Sequence, residues 1–409
     1  MKRATKKIDT WLLHAGLGIS THKFNLLFLM LIMIIGMISQ VPKITMDTTT
    51  EGFLHQDDSI RITYDDFRDQ FGRDERIVVA IKTNDVFSLK NLTLLRNLHH
   101  ELQDQVPYLN DITSLINARN TQGVGDTLIV EDLFEQWPED QAALQKIKQT
   151  ALANPIYKNL LISEDGTFTM IVLESNTYTS IGEEVKALDE LSAFEDGFGD
   201  DESETTKRDF ISDEENSEMV AKVREITGKY KQEGFEIYLA GSPSVTDSLK
   251  SSMKGDIKKF NGLIILTILL FLTLLFRRVS GVLFPLLTVI LSVLSTVGVM
   301  AFFGTPIKIP TQILPSFLLA VGIGTSIHIM AIFFHNFDKY GNKSQAIAFT
   351  LKHSGLAIIM TSLTTAAGIG SFSFSSVAPV ADLGMYGALG VLIALLFSMV
   401  LLPVLIAIF

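Results

Sequence analysis

The stretch "AVGIGTSIHIMAIFFH", Ala320 to His335, decides how the rest of this chain is read. It is apolar enough for the interior of a membrane, yet it carries Thr325, Ser326 and His328 near its middle. Hydrocarbon offers a polar group no partner. Such residues therefore serve either helix packing or a path for ions or substrate.

The surrounding sequence supports a membrane setting. Of the 409 residues, 47% are hydrophobic, and they are gathered into runs with almost no charge. The runs are Phe24 to Val41, Phe260 to Phe276, Gly281 to Phe303, Thr311 to Phe334, Leu356 to Phe374 and Leu383 to Phe409. At about 1.5 Å per residue each can cross, or nearly cross, a hydrocarbon core of about 30 Å. Six transmembrane helices are expected, the first at 24–41 and the other five within 260–409.

Residues 1–23 begin "MKRATKK" and continue "IDTWLLHAGLGISTHK", the pattern of a cytoplasmic amphipathic segment lying on a membrane surface. No small-x-small cleavage site follows the first run, so it reads as an uncleaved anchor. Lys2, Arg3, Lys6 and Lys7 place the N-terminus inside, and Arg277, Arg278, Lys339, Lys343 and Lys352 then fall on the same side. Lys308 is the exception. Residues 42–259 are thereby expected outside the cytoplasm.

That domain alternates strand and helix signals. "RIVVAIKT" from Arg76, "LNDITSLIN" from Leu109 and "FEIYLAG" from Phe235 read as strands, and "KNLLISEDGTFTMIVLE" from Lys158 reads as a hairpin turning at Asp165-Gly166. The stretches from Ser88 and from Glu215 read as helices. Two βαβ-like units in succession predict an α+β, ferredoxin-like sandwich, with Asn117 to Tyr157 as a helical insertion. Residues 195–218 hold eleven acids against two bases and supply most of the net charge of −11. Their spacing does not fit a calcium loop, so a solvated acidic loop is expected and no metal. His99-His100 is a tempting pair, but neighbours on a helix diverge, which leaves a half-exposed structural role. With no cysteine there are no disulfides.

Several chemistries are excluded by missing motifs: no P-loop, no G-x-G-x-x-G after a strand, no H-E-x-x-H, no G-x-S-x-G. No enzyme activity and no cofactor are expected. The basic stripes of a nucleic-acid binder are missing as well.

One anchor, a large outer domain and five closely spaced helices together resemble half of a transporter of the resistance-nodulation-division (RND) superfamily. The resemblance is to the MMPL branch, with its sterol-sensing-type membrane core. "YDDFRDQFGRDERIVVAI", "AGSPSV" followed by "MKGDIKKF", "PTQILPSFLLAVGIGTSIHI" and "TSLTTAAGIGSFSFSSVAPVADLGMYGALGV" carry it. It implies a proton-driven exporter of hydrophobic or amphiphilic molecules such as membrane lipids, with the outer domain as porter. It also implies a bacterial inner membrane with the outer domain in the periplasm, a second six-helix half, in the same chain or another copy, and periplasmic or outer-membrane partners.

One position departs from that pattern. Where most proton-driven members carry aspartate, this chain reads "GTSIH", so Thr325, Ser326 and His328 stand as proton-relay candidates. Thr325 and His328 share a helix face with Gly324, whereas Ser326 points roughly 160° away from His328. The first face is expected to look into the bundle. Gly322 and Gly324, with Thr364, Ala367, Gly368 and Ser371 on the fifth run, are expected to let helices approach closely. The missing carboxylate leaves two other readings open: a non-pumping lipid-binding scaffold, and an export-assisting factor of the one-plus-five topology.

Overall fold

A computed structural model describes residues 2–71, 76–124, 127–176 and 211–409. Two compact units emerge, one formed by 1–63 with 250–409 and the other by 64–249. The span of 42–259 expected for the outer domain is therefore wider than the unit that folds there.

In the first unit, α1 (Lys2–Thr21) precedes α2 (Lys23–Ile38), the first of six helices long and apolar enough to cross a membrane. The short helix α3 (Ser59–Phe71) follows. The smaller unit then contributes β1 (Arg76–Thr83), α4 (Leu89–Gln105) and β2 (Leu109–Thr113). An insertion follows, made of β3 (Arg119–Val124), β4 (Thr127–Asp132) and α5 (Gln141–Ala153). The chain resumes with β5 (Phe168–Ser175), α6 (Asp213–Tyr230) and β6 (Phe235–Ala240).

The four main strands pair in the order β2-β5-β1-β6, antiparallel throughout. This is the ferredoxin-like arrangement, with β1 and β5 in the centre. Alternation sets the inner face: Ile77, Val79 and Ile81 of β1 and Thr169, Ile171 and Leu173 of β5 are buried. They meet Leu92, Leu95, Leu98 and Leu102 of α4 and Val220, Val223 and Ile226 of α6 in one apolar core.

Three expectations for this unit need correction. The insertion is a β-hairpin followed by a helix: "RNTQGV" and "TLIVED" contain the β-branched Thr121, Val124, Thr127, Ile129 and Val130, which favour strands, and the two stretches pair residue for residue. The stretch from Lys158 contributes a turn and one strand, its first arm reduced to isolated bridges at Lys158 and Ile162. His99 is buried rather than half-exposed. Its Nδ1 lies 2.9 Å from the Ser114 hydroxyl, and desolvation, with the neighbouring His100 as a lesser cause, lowers its pKa to about 4. Of the acidic stretch 195–218, residues 195–210 lie outside the described residues. The rest begins α6, where Ser212 and Glu215 form a reciprocal capping box.

The other five apolar helices are α7 (Ser242–Phe276), α8 (Val279–Phe302), α9 (Leu314–Tyr340), α10 (Lys343–Gly370) and α11 (Ala378–Leu396), the last continued by a π turn and α12 (Leu402–Ile408). The π turn, Phe397–Leu401, sits just before Pro403. A proline there cannot donate to the carbonyl four residues back and its ring crowds it, so the ladder widens. α1 does not lie free on a surface: Leu12 is fully buried, and Gly16 sits directly on the backbone of Ala348 in α10. The absence of a side chain at Gly16 is what permits this approach.

Candidate functional site

α9 is built as a membrane helix with defined ends: Pro315 opens it and Gly341, at φ 62°, closes it in the left-handed conformation that glycine adopts without strain. Its inward side carries Leu318, Leu319, Gly322, Ile323, Ser326, Ile329, Met330 and Phe333, all buried. Gly322 is in close contact with Val289 of α8, and a side chain there would also reach Ala394 of α11. Packing at Gly322 thus follows the expectation.

Ser326 is fully buried, and its hydroxyl lies 3.2 Å from that of Ser398 in the π turn. Each hydroxyl gives the other a partner in a buried setting. The pair joins the fourth apolar helix to the sixth at the one place where the backbone ladder of the sixth is irregular.

His328 is on the other side. With Ala320, Gly324, Ala331 and His335 it forms an exposed stripe at helical spacing, and nothing lies within 4 Å of where a Gly324 side chain would begin. Thr325 is half-buried and its hydroxyl leans back toward the Val321 carbonyl at 3.4 Å. The separation of Ser326 from His328 stands, but the expected direction is reversed: within these six helices the serine faces the bundle and the histidine faces out. The reason is bulk. Ile323, Ile329, Met330 and Phe333 share Ser326's side and fill the interior, whereas the His328 stripe offers mostly small residues and gains little by turning inward.

The same correction holds on α10. Thr364, Ala367, Gly368 and Ser371 are exposed, and their hydroxyls bond to carbonyls of their own helix, as Thr364 does to Met360 at 2.9 Å and Ser371 to Gly368 at 2.7 Å. The glycines that do bring helices together are others. Gly298 of α8 presses on the Met37 carbonyl at the end of α2, and Gly390 of α11 receives the Leu318 side chain. Gly298 lies in an apolar run with no small-xxx-small pairing to advertise it, whereas Gly390 pairs at that spacing with Ala394.

An ion pair was also missed. Lys308, in the loop between α8 and α9, lies 3.0 Å from Asp382 in the first turns of α11, and both side chains are largely buried. One turn further, the Tyr386 hydroxyl lies 2.7 Å from that of Thr305 in the same loop. Lys308 broke the pattern of basic loops because its charge is matched locally. The signal was present as "VADLGMYG", a carboxylate inside an apolar run. Among the described residues no cluster of ligands could hold a metal ion.

The MMPL family model matches residues 210–409, which hold α6, the last strand and all the helices after it. That part, just under half of the chain, is similar to MMPL membrane proteins. The chain is also 24% identical over 401 residues to a protein of Methanocaldococcus jannaschii, covering 93% of this chain and 90% of the relative. The name of that protein places it in a membrane and gives no activity.

Proposed function

We propose that this protein works as one six-helix half of a secondary transporter that exports a hydrophobic or amphiphilic, lipid-like molecule using the proton gradient. In this reading the N-terminus is cytoplasmic, the membrane is the inner (plasma) membrane, and the 64–249 unit is the outward porter domain. The observation that carries it is the exposed stripe Ala320, Gly324, His328, Ala331 and His335 on α9. A small-residue face suits close approach of another helix, and a histidine at membrane depth needs a protein or aqueous partner. A second six-helix unit supplies both. Thr325 and His328 would then lie between halves, where related transporters of repeated architecture form their paths, and a carboxylate missing here would come from that partner. Ser326, paired with Ser398 inside the bundle, serves as an internal tie between helices and not as part of the relay.

A specific observation favours the non-pumping lipid-binding scaffold as second reading: α9 carries no carboxylate from Leu314 to Phe337. Proton flux into liposomes separates the two. The full chain, supplied with candidate lipids, is expected to carry protons, and His328→Ala to lose the flux while still folding. Wild-type protein that moves no proton sinks the pump; an active wild type matched by the variant removes His328 from the path.

A further inference from the structure

Between the last turns of α7 and the first turns of α8 lies a cleft of about 460 Å³. Leu269, Val282, Leu283 and Leu286 form its apolar walls, and Arg277 and Arg278 stand together at one end. The volume falls within the range of pockets that hold small ligands. The two ends of the cleft ask for different chemistry in one molecule: hydrocarbon along the helices and an anion at the turn.

The turn is unusual in itself. Arg277 adopts φ 52° and its backbone N–H bonds back to Thr273 at 3.1 Å, closing α7. Glycine ordinarily fills such a closing position, because a side chain there costs about 1 kcal/mol or more. Arg277 nevertheless holds that place, at the mouth of the cleft, and among the described residues its guanidinium has no hydrogen-bond or ion-pair partner. Arg278 is partly engaged: it sits over the Phe334 ring at 5.0 Å from its centroid and 3.6 Å from Asp338. The free positive charge at the cleft is therefore that of Arg277, supported by Arg278.

We infer that this cleft binds an anionic phospholipid from the adjoining leaflet, one acyl chain along the α7–α8 walls and the phosphate at Arg277 and Arg278. Charge complementarity selects the acidic lipid over a zwitterionic one, since basic residues next to hydrocarbon attract anionic headgroups by about 1 kcal/mol each. The site lies on the lipid-facing side of α7, where Leu270, Leu274 and Leu275 are exposed. None of the residues that line it belongs to the α9 stripe, so it holds whether or not the chain pumps protons.

The test is equilibrium binding of labelled phosphatidylglycerol to the full chain in neutral detergent micelles. Unlabelled phosphatidylglycerol should displace the label at least tenfold more effectively than phosphatidylcholine, and inorganic phosphate should not displace it. Arg277→Gly removes the charge while relieving the left-handed backbone, so it should melt no earlier than wild type yet bind about fivefold more weakly. Thr273→Trp, which fills the exposed mouth of the cleft, should weaken binding with the charges intact. Equal competition by phosphatidylcholine, displacement by phosphate alone, or unchanged binding in folded Arg277→Gly would each overturn the assignment.

Discussion

Two outward surfaces of the membrane unit differ in kind. On α2 and the membrane part of α7 the exposed residues are large and apolar: Phe24, Phe28, Leu31 and Ile35 on one, Leu263, Leu266, Leu270, Phe271 and Leu274 on the other. On α9 and α10 small and polar residues predominate among the exposed ones, Ala320, Gly324, His328 and Ala331 on one and Ala357, Thr361, Thr364, Ala367 and Gly368 on the other, with Met360 and Leu363 the large apolar exceptions. Lipid tails reward bulk only weakly and tolerate it everywhere, whereas small and polar surfaces become useful when another backbone can come close. On the proposal above, the first pair of faces meets lipid and the second a partner helix. Exposure alone does not tell them apart; side-chain size and polarity do.

The sharpest way to break this comparison contrasts two glycines. Gly298→Leu would force a side chain into the Met37 carbonyl of α2, and it should cost at least about 3 kcal/mol or abolish folding, as overpacking at a backbone contact does. A thermal melt in detergent checks it, and a stable variant would mean that α2 and α8 are not held together there.

The smaller unit is a control, since its interior is sealed from solvent without any membrane. His99 is neutral in the fold, with a pKa lowered to about 4 from 6.5. A depressed base gives stability that is complete above the unfolded value and declines as pH falls from 6.5 toward 4. The loss at pH 4 is on the order of 3 kcal/mol. His99→Gln, which retains a partner for Ser114, should remove that part of the acid sensitivity; melts at pH 7.5 and 4 compare the two proteins. Identical pH dependence would mean that His99 charges in place.

Asp382→Asn leaves Lys308 largely buried without its counter-charge, at an expected cost of about 2 kcal/mol, below the figure for a fully buried pair. Replacing both residues by apolar ones should recover most of it, and urea unfolding in detergent provides the measure. A single variant as stable as wild type would show the pair to be solvated.

Smallest in stability, within about 0.5 kcal/mol, should be Gly324→Leu, because its side chain meets nothing in this unit. Its effect belongs to association. The chain has no cysteine, so Ala331→Cys reports on its neighbours alone. Oxidation in membranes should cross-link Ala331→Cys to a second six-helix unit that carries the same change, and adding Gly324→Leu should reduce the yield. Efficient cross-linking from a cysteine at Leu270 instead would reverse the assignment of the two surfaces.

Much of this was legible in the sequence because it depends on composition over long windows. Six apolar runs give six helices, since a helix that satisfies its own backbone is the economical way to cross hydrocarbon. The βαβ rhythm gives the ferredoxin-like sheet. The insertion was misread because its hairpin pattern is short and lies beside a true helix.

At the candidate site, periodicity fixed that Ser326 and His328 lie on opposite sides of one helix, and it could go no further. Which side looks inward depends on the summed volume of Ile323, Ile329, Met330 and Phe333 against the neighbouring helices, a property of the packed bundle. The same is true of Gly298 and Gly390, whose meaning comes from the Met37 carbonyl and the Leu318 side chain that happen to cross them. Lys308 and Asp382 are 74 residues apart, and only the folding of the α8–α9 loop over α11 makes them a pair. Local pattern determined the elements and their faces, because those follow from chain geometry; tertiary structure decided which faces meet, because that follows from shape and charge summed over distant residues.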